Sequence, residues 1–188
     1  MKIALIDPSL FTAPYDRALM HGIQQAEPGT TLRLFTRALG PGEARDEGFV
    51  EHFYRKPHLF GAGRLAKGAS HPLYMASLCR ALAAWRPDVI HIQWAVLPLI
   101  DLWFLPRLRR IAPLVLTVHD SNPFNGDPRS RLQALGSRAI LRQANALIVH
   151  TEQARRRLEA CGIAPGKIVK IPHGLLHNLP AVPAADLG

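Results

Sequence analysis

The chain is poor in cysteine, modest in aromatics and without a long apolar run. Only two of its 188 residues are cysteine, Cys79 and Cys161, and no CxxC pair occurs. Nothing suggests a disulfide, and the two thiols read as buried free cysteines of a reducing compartment. The longest apolar stretch, Trp94 to Pro106, is broken by Asp101 and two prolines. It falls well short of the ~18 apolar residues a membrane span needs. The N-terminal run Ile3-Ala4-Leu5-Ile6 stops at Asp7, too short for a secretion signal. A cytoplasmic chain is expected.

Glycine is missing where cofactor loops need it. The turn from Asp7 to Pro14 contains none, and Gly61-Ala62-Gly63 lacks the third glycine of a dinucleotide fingerprint. An NAD-dependent enzyme or epimerase built on such a loop is therefore disfavoured. Walker A, zinc-finger and RNA-recognition signatures are absent as well. Four histidines (His91, His119, His150, His173) fall in or near apolar runs but show no HxH or HExxH spacing. No metal and no bound cofactor is expected.

What the chain does have is positive charge. Lysine and arginine number 23 against 14 acids, a net charge of +9. The arginines cluster at 107, 109 and 110, at 129, 131, 138 and 142, and at 155 to 157. They read first as solvated helix faces. The alternative is a non-enzymatic basic module that binds anionic lipid or nucleic acid.

Apolar, β-branched runs alternate with helical patterns. Strands are expected over 2–7, 31–36, 88–94, 114–119, 146–150 and 167–171, with a short one near 49–54. Consecutive apolar residues in them fit strands buried on both faces. Helical stripes follow at Leu19, Ile23 and Ala26, and at Leu78, Leu82 and Trp85. A third helix is predicted from an Asp127 cap and Pro128, with Leu132, Leu135 and Ala139 on one face. A fourth carries Ala154, Leu158 and Cys161, closed by Gly162. Residues 40–70 read as a long loop around the short strand, and 175–188 as the start of a linker. Strand–helix–strand repetition predicts a doubly wound α/β domain with a mainly parallel sheet between helices.

In such sheets, ligands bind beyond the carboxyl ends of the strands. The residues there are polar: Ser9 and Thr12 after the first strand, Gln93 and Trp94 after the fourth. His119, Asp120 and Asn122 follow the next, then His150, Thr151 and Glu152, and finally His173 and Gly174. Hydroxyl-rich sugars are held by such groups, with Trp94 for an apolar sugar face. Thr151 and Glu152 also fit a plain helix cap. His119-Asp120 stands out, because two ionisable groups directly after a buried strand are costly unless paired or used.

Four segments resemble one family in order and spacing. Pro87-Asp88-Val89-Ile90-His91-Ile92-Gln93-Trp94 is similar to the "PDVIHxHW" strand of glycosyltransferase family 4. Leu116-Thr117-Val118-His119-Asp120 resembles its "TVHD". Ala146-Leu147-Ile148-Val149-His150-Thr151-Glu152, followed by Arg156, Arg157 and Leu158, resembles "IVxSEaxrxxL", and the segment from Lys167 to Gly174 resembles "kixVIPhG". The resemblance is firm from about Arg86 to Gly174. It implies the N-terminal, acceptor-side Rossmann-like domain of a two-domain GT-B enzyme, usually retaining and metal-independent. That domain would span 1–174.

By position the resemblance makes His119 the cleft histidine that contacts the transferred sugar, and puts Asp120 beside the acceptor. Both are the expected catalytic residues. His173 and Gly174 would mark the hinge. Many members carry a Gly-Gly turn after the first strand. Here the turn instead offers Thr12, Tyr15 and Asp16 to an acceptor. The donor-binding domain, with its paired glutamates, is not in the sequence. It is expected in cis or in trans, with a nucleotide sugar as donor and a glycan or lipid-linked acceptor. Without it the chain is expected to be inactive. Peripheral contact with an anionic membrane is a further expectation, and nucleic acid is not an expected partner.

Overall fold

A computed structural model describes residues 1–54, 64–119 and 136–173. Seven strands form one sheet: β1 (Lys2–Asp7), β2 (Thr31–Arg37), β3 (Phe49–Phe53), β4 (Val89–Ile92), β5 (Leu114–Val118), β6 (Ala146–Val149) and β7 (Ile168–Lys170). The spatial order is β3-β2-β1-β4-β5-β6-β7, and every pairing is parallel. The order reverses between β1 and β4, which makes that junction the topological switch point. The helices are α1 (Ala13–Ala26), α2 (Arg64–Trp85), α3 (Pro98–Ile111), α4 (Ser137–Gln143) and α5 (Glu152–Ala160).

Alternation along the strands creates two cores. In β1, Ala4 and Ile6 point to a cluster that holds Met75, Leu78 and Leu82 of α2, Leu105 and Leu108 of α3, and Ile140 of α4. Ile3 and Leu5 point the other way, toward Met20 of α1 with Leu32 and Leu34 of β2. Both faces of the sheet are covered, as the consecutive apolar residues predicted. Gly162 follows α5 with φ +81°, the left-handed C-cap that the sequence pattern anticipates. Cys161, expected on the buried face of that helix, is exposed instead, since the helix ends one residue before it.

The structure differs from the expected helices at two places. The sequence pattern assigns no element to the apolar stretch after Trp94, and most of it is α3. Pro98 occupies the first helical position, where no N–H is needed, and Pro106 sits on the exposed side of the helix. The loop expected over 40–70 ends early, because α2 begins at Arg64 and runs through Pro72. The third predicted helix start, Asp127 and Pro128 with Leu132 and Leu135, lies outside the described residues, and Ala139 falls in α4.

Besides this apolar packing, α2, α3 and the residue after β3 are tied together by a polar chain that the sequence pattern does not reveal. His71 of α2 is completely buried. Its Nε2 lies 2.6 Å from Asp101 Oδ1 of α3, and its Nδ1 lies 2.9 Å from the hydroxyl of Tyr54, just past β3. The second Asp101 oxygen accepts the Leu97 N–H at 3.0 Å and so caps α3. Three elements thus share one network, and removing its centre leaves a buried carboxylate short of a partner. His71→Ala is expected to lower the unfolding free energy by about 3 kcal/mol. Arg156→Ala, on an exposed face, is expected to cost less than about 0.5 kcal/mol. Urea melts of the two variants beside the parent chain check the contrast.

Candidate functional site

The carboxyl ends of β1, β4, β5, β6 and β7 share one edge, so the polar tips meet. The first turn is shaped by Asp7, which ends β1 with no exposed surface. Its Oδ1 accepts the Ser9 N–H at 3.2 Å and its Oδ2 accepts the Thr12 N–H at 3.2 Å. Leu10 adopts φ +53°, the left-handed conformation that glycine takes at low cost. The carboxylate therefore holds the turn that leads the chain into α1.

Asp16, one turn into α1, is also fully buried and faces Asp7. Both acids are shifted upward, chiefly by burial. Asp16 is pushed to about 8, with the neighbouring Asp7 charge as the next cause. Asp16 thus carries the shared proton near neutral pH. The Thr12 hydroxyl lies 3.5 Å from both carboxyls. It also accepts the Trp94 indole N–H at 3.2 Å.

Trp94 follows β4 and lies flat against His119, with ring centroids 5.0 Å apart and planes 13° from parallel. Phe11, 64% exposed, meets the indole edge-on at 5.8 Å. Gln93 is buried, and its Oε1 accepts the His119 Nε2–H at 3.1 Å. That leaves Nδ1 of His119 as the nitrogen with a free lone pair. His119 is pushed down to about 4, first by burial and then by His150 and His173. It is neutral at physiological pH.

The other histidines divide into two groups. His91 is buried within the sheet, bonded to the Thr117 hydroxyl at 2.7 Å, and burial pushes it down to about 4. It is a core histidine. His150 and His173 join His119 on the rim, with centroids 5.4 Å (119–150), 6.5 Å (119–173) and 4.2 Å (150–173) apart. The Tyr15 ring abuts all three edge-on at 4.9, 5.3 and 4.9 Å. One ring nitrogen from each of the three lies within 4.8 Å of the other two. Spacing along the chain gave no sign of this triplet, which parallel strand ends alone bring together.

Three of the remaining expected residues have partners of their own. Ser9 turns its carbonyl to Arg37 Nε at 3.3 Å. Thr151 caps α5, its Oγ1 accepting the Ala154 N–H at 3.0 Å. Glu152 is exposed and pairs with Lys170 at 3.2 Å, which lowers its pKa. These two serve the helix and β7 in this structure. Asp120, Asn122 and Gly174 lie outside the described residues. A small apolar cavity behind Trp94, lined by Ile6, Met75, Ile92, Leu105 and Ile140, has room for about one water and none for a sugar.

The sequence profile of Glycosyltransferase Family 4 matches residues 19–176. The chain belongs to glycosyltransferase family 4. No curated protein matches it in sequence. Among solved structures it is similar to sucrose-phosphate synthase from Thermosynechococcus elongatus, with 20% identity, 93% of this chain and 90% of that chain covered, and a TM-score of 0.61. It is also similar to UDP-GlcNAc 2-epimerase from Neisseria meningitidis, with 14% identity, 90% and 45% coverage, and a TM-score of 0.61. The Anabaena protein HepE, solved with UDP and glucose, gives 14% identity, 93% and 45% coverage, and a TM-score of 0.61. This family 4 chain spans less than half of the last two. At these identities the likeness fixes the fold, a Rossmann-like GT-B type domain, and transferases share it with epimerases.

The buried acid pair gives a pH signature. A carboxyl whose folded pKa lies above its unfolded value of 3.8 contributes stability that is fully present below that value and lost as pH rises through about 8. Asp16→Asn stays neutral and keeps a donor toward Asp7. Thermal melts should show little change below about pH 4 and a gain of several degrees near pH 9. Equal pH dependence in both proteins would contradict a proton held by Asp16.

Proposed function

We propose that residues 1–174 are the acceptor-side domain of a two-domain sugar transferase, and that 175–188 begin the connection to a donor-binding domain supplied in cis or in trans. The observation that carries this reading is the rim itself. Trp94, His119, Tyr15 and Gln93 stand together at the switch point of a family 4 sheet. The donor in this reading is a nucleotide sugar, and the acceptor is a glycan or a lipid-linked sugar.

The roles follow from the chemistry. The neutral His119 imidazole turns its lone pair to a hydroxyl of the transferred sugar. The Trp94 ring, backed by His119 and edged by Phe11, offers an apolar face to a pyranose. Asp120, as the next residue, is assigned beside the acceptor. Asp16 acts from below, by fixing Thr12 and the turn. Transfer requires both substrates positioned together, and this half supplies only one of them. The chain by itself is therefore assigned acceptor binding without turnover.

With the donor-binding half present, His119→Ala should reduce transfer at least a hundredfold while circular dichroism stays unchanged. Trp94→Ala should weaken acceptor binding about tenfold, or ~1.4 kcal/mol, by calorimetry. Full transfer by His119→Ala would remove the role given to that residue.

A second reading concerns the membrane and has its own observation. No described helix is long and apolar enough to span a bilayer. Yet α3 exposes Leu99 and Trp103, the latter 77% exposed, with Arg107, Arg109 and Arg110 in its last turns. An apolar ring above a basic patch suits the interface of an anionic membrane, where a lipid-linked acceptor would be met. Co-sedimentation with anionic vesicles should fall as salt rises and drop severalfold in Trp103→Ala. Equal binding to neutral vesicles would argue against it.

A further inference from the structure

The rim histidines form a constellation that sugar binding does not use in full. His119, His150 and His173 come from the ends of three neighbouring strands, β5, β6 and β7. One ring nitrogen of each lies within 4.8 Å of the other two. A tetrahedral zinc with Zn–N bonds near 2.0–2.1 Å holds its nitrogens about 3.3 Å apart. Metal binding in this arrangement would draw the three nitrogens in to that spacing.

The hydrogen bonds around the rings point the same way. His150 donates its Nδ1–H to the Ile171 carbonyl at 2.9 Å. Its Nε2 is then the lone-pair nitrogen. That atom is buried and has no hydrogen-bond partner among the described residues. A buried imidazole nitrogen with nothing to accept is costly, and such groups call for a ligand. His119 shows the same division of labour, with one nitrogen bonded to Gln93 and the other left over. Imidazoles that bind metals are held in this manner, the second nitrogen anchored to a carbonyl or amide oxygen. His173 is exposed and keeps the cluster open on one side.

We infer that His119, His150 and His173 form a site for one divalent transition metal, with zinc as the natural occupant of three imidazoles and a water or substrate oxygen in the open position. The site goes beyond the sugar-transfer reading and does not depend on it. A chain that binds zinc but no sugar acceptor, or the reverse, would separate the two.

The test uses the full chain freed of metal with a chelator. Zn2+ is titrated by calorimetry, and Co2+ by its visible absorption. The expected result is one equivalent bound, with the intense bands of a four-coordinate cobalt. His173→Ala, an exposed substitution that leaves the fold intact, should weaken binding at least tenfold. His150→Ala should do the same, with circular dichroism confirming its fold. His21→Ala, on the exposed side of α1, should bind like the parent. Absence of stoichiometric binding, or equal affinity in parent and His173→Ala, would overturn the site.

Discussion

Asp7 sits without solvent contact where β1 ends, and the rim is suspended from it by successive hydrogen bonds. Its carboxylate takes the N–H groups of Ser9 and Thr12. Thr12 then receives the Trp94 indole, Trp94 stacks on His119, and His119 is tied to Gln93. The hydrogen bonds are of ordinary length and part-buried, and each orients the next. The arrangement has a cost, since Asp16 must share the same buried space and keep a proton to do so. Leu10 also accepts a left-handed backbone. Strain and a raised acid at one turn mark where the fold gives up stability for geometry.

The parallel sheet does the rest of the positioning. Because all seven strands run the same way, all their carboxyl ends lie on one edge, and side chains distant in sequence become neighbours. The odd residues of β1 face α1, and the even ones face α2, α3 and α4. His91 and Thr117 fall on strands within the sheet and are sealed together. His119, two residues past Thr117, clears the edge and reaches the rim. A two-residue step along one strand thus separates a core group from a rim group.

Much of this was legible in the sequence, because strand signals in a doubly wound sheet are strong: runs of apolar residues with polar tips. All seven strands appear where the pattern put them, and each is as long as predicted or shorter, apart from one residue added to β2. Helices were harder where proline stood in the way. Pro98 and Pro106 hid α3, because proline is read as a breaker even where it sits at a helix start or on an outer face. The Tyr54–His71–Asp101 network left no sequence signal, since its members are 17 and 30 residues apart and join through packing alone. The same holds for the histidine triplet. Ligand motifs with short spacing belong to single helices or hairpins, whereas parallel strand tips place ligands 23 to 31 residues apart. The four family-like segments carried the family assignment, and the structure adds what they touch.

His119 is the point at which the two readings of the rim meet. A sugar hydroxyl and a metal ion would both take the lone pair that Gln93 leaves free, and one lone pair serves one of them at a time. His150 and His173 are different: neither is needed to hold a sugar on Trp94, and His150 keeps a buried nitrogen with nothing to bond. If the rim were only a sugar surface, burying that atom would be an uncompensated penalty of order 1–3 kcal/mol. A ligand that draws on all three rings removes the penalty and explains why three imidazoles gather around a single tyrosine. On these two readings, the chemistry of the rim is set by which partner occupies His119.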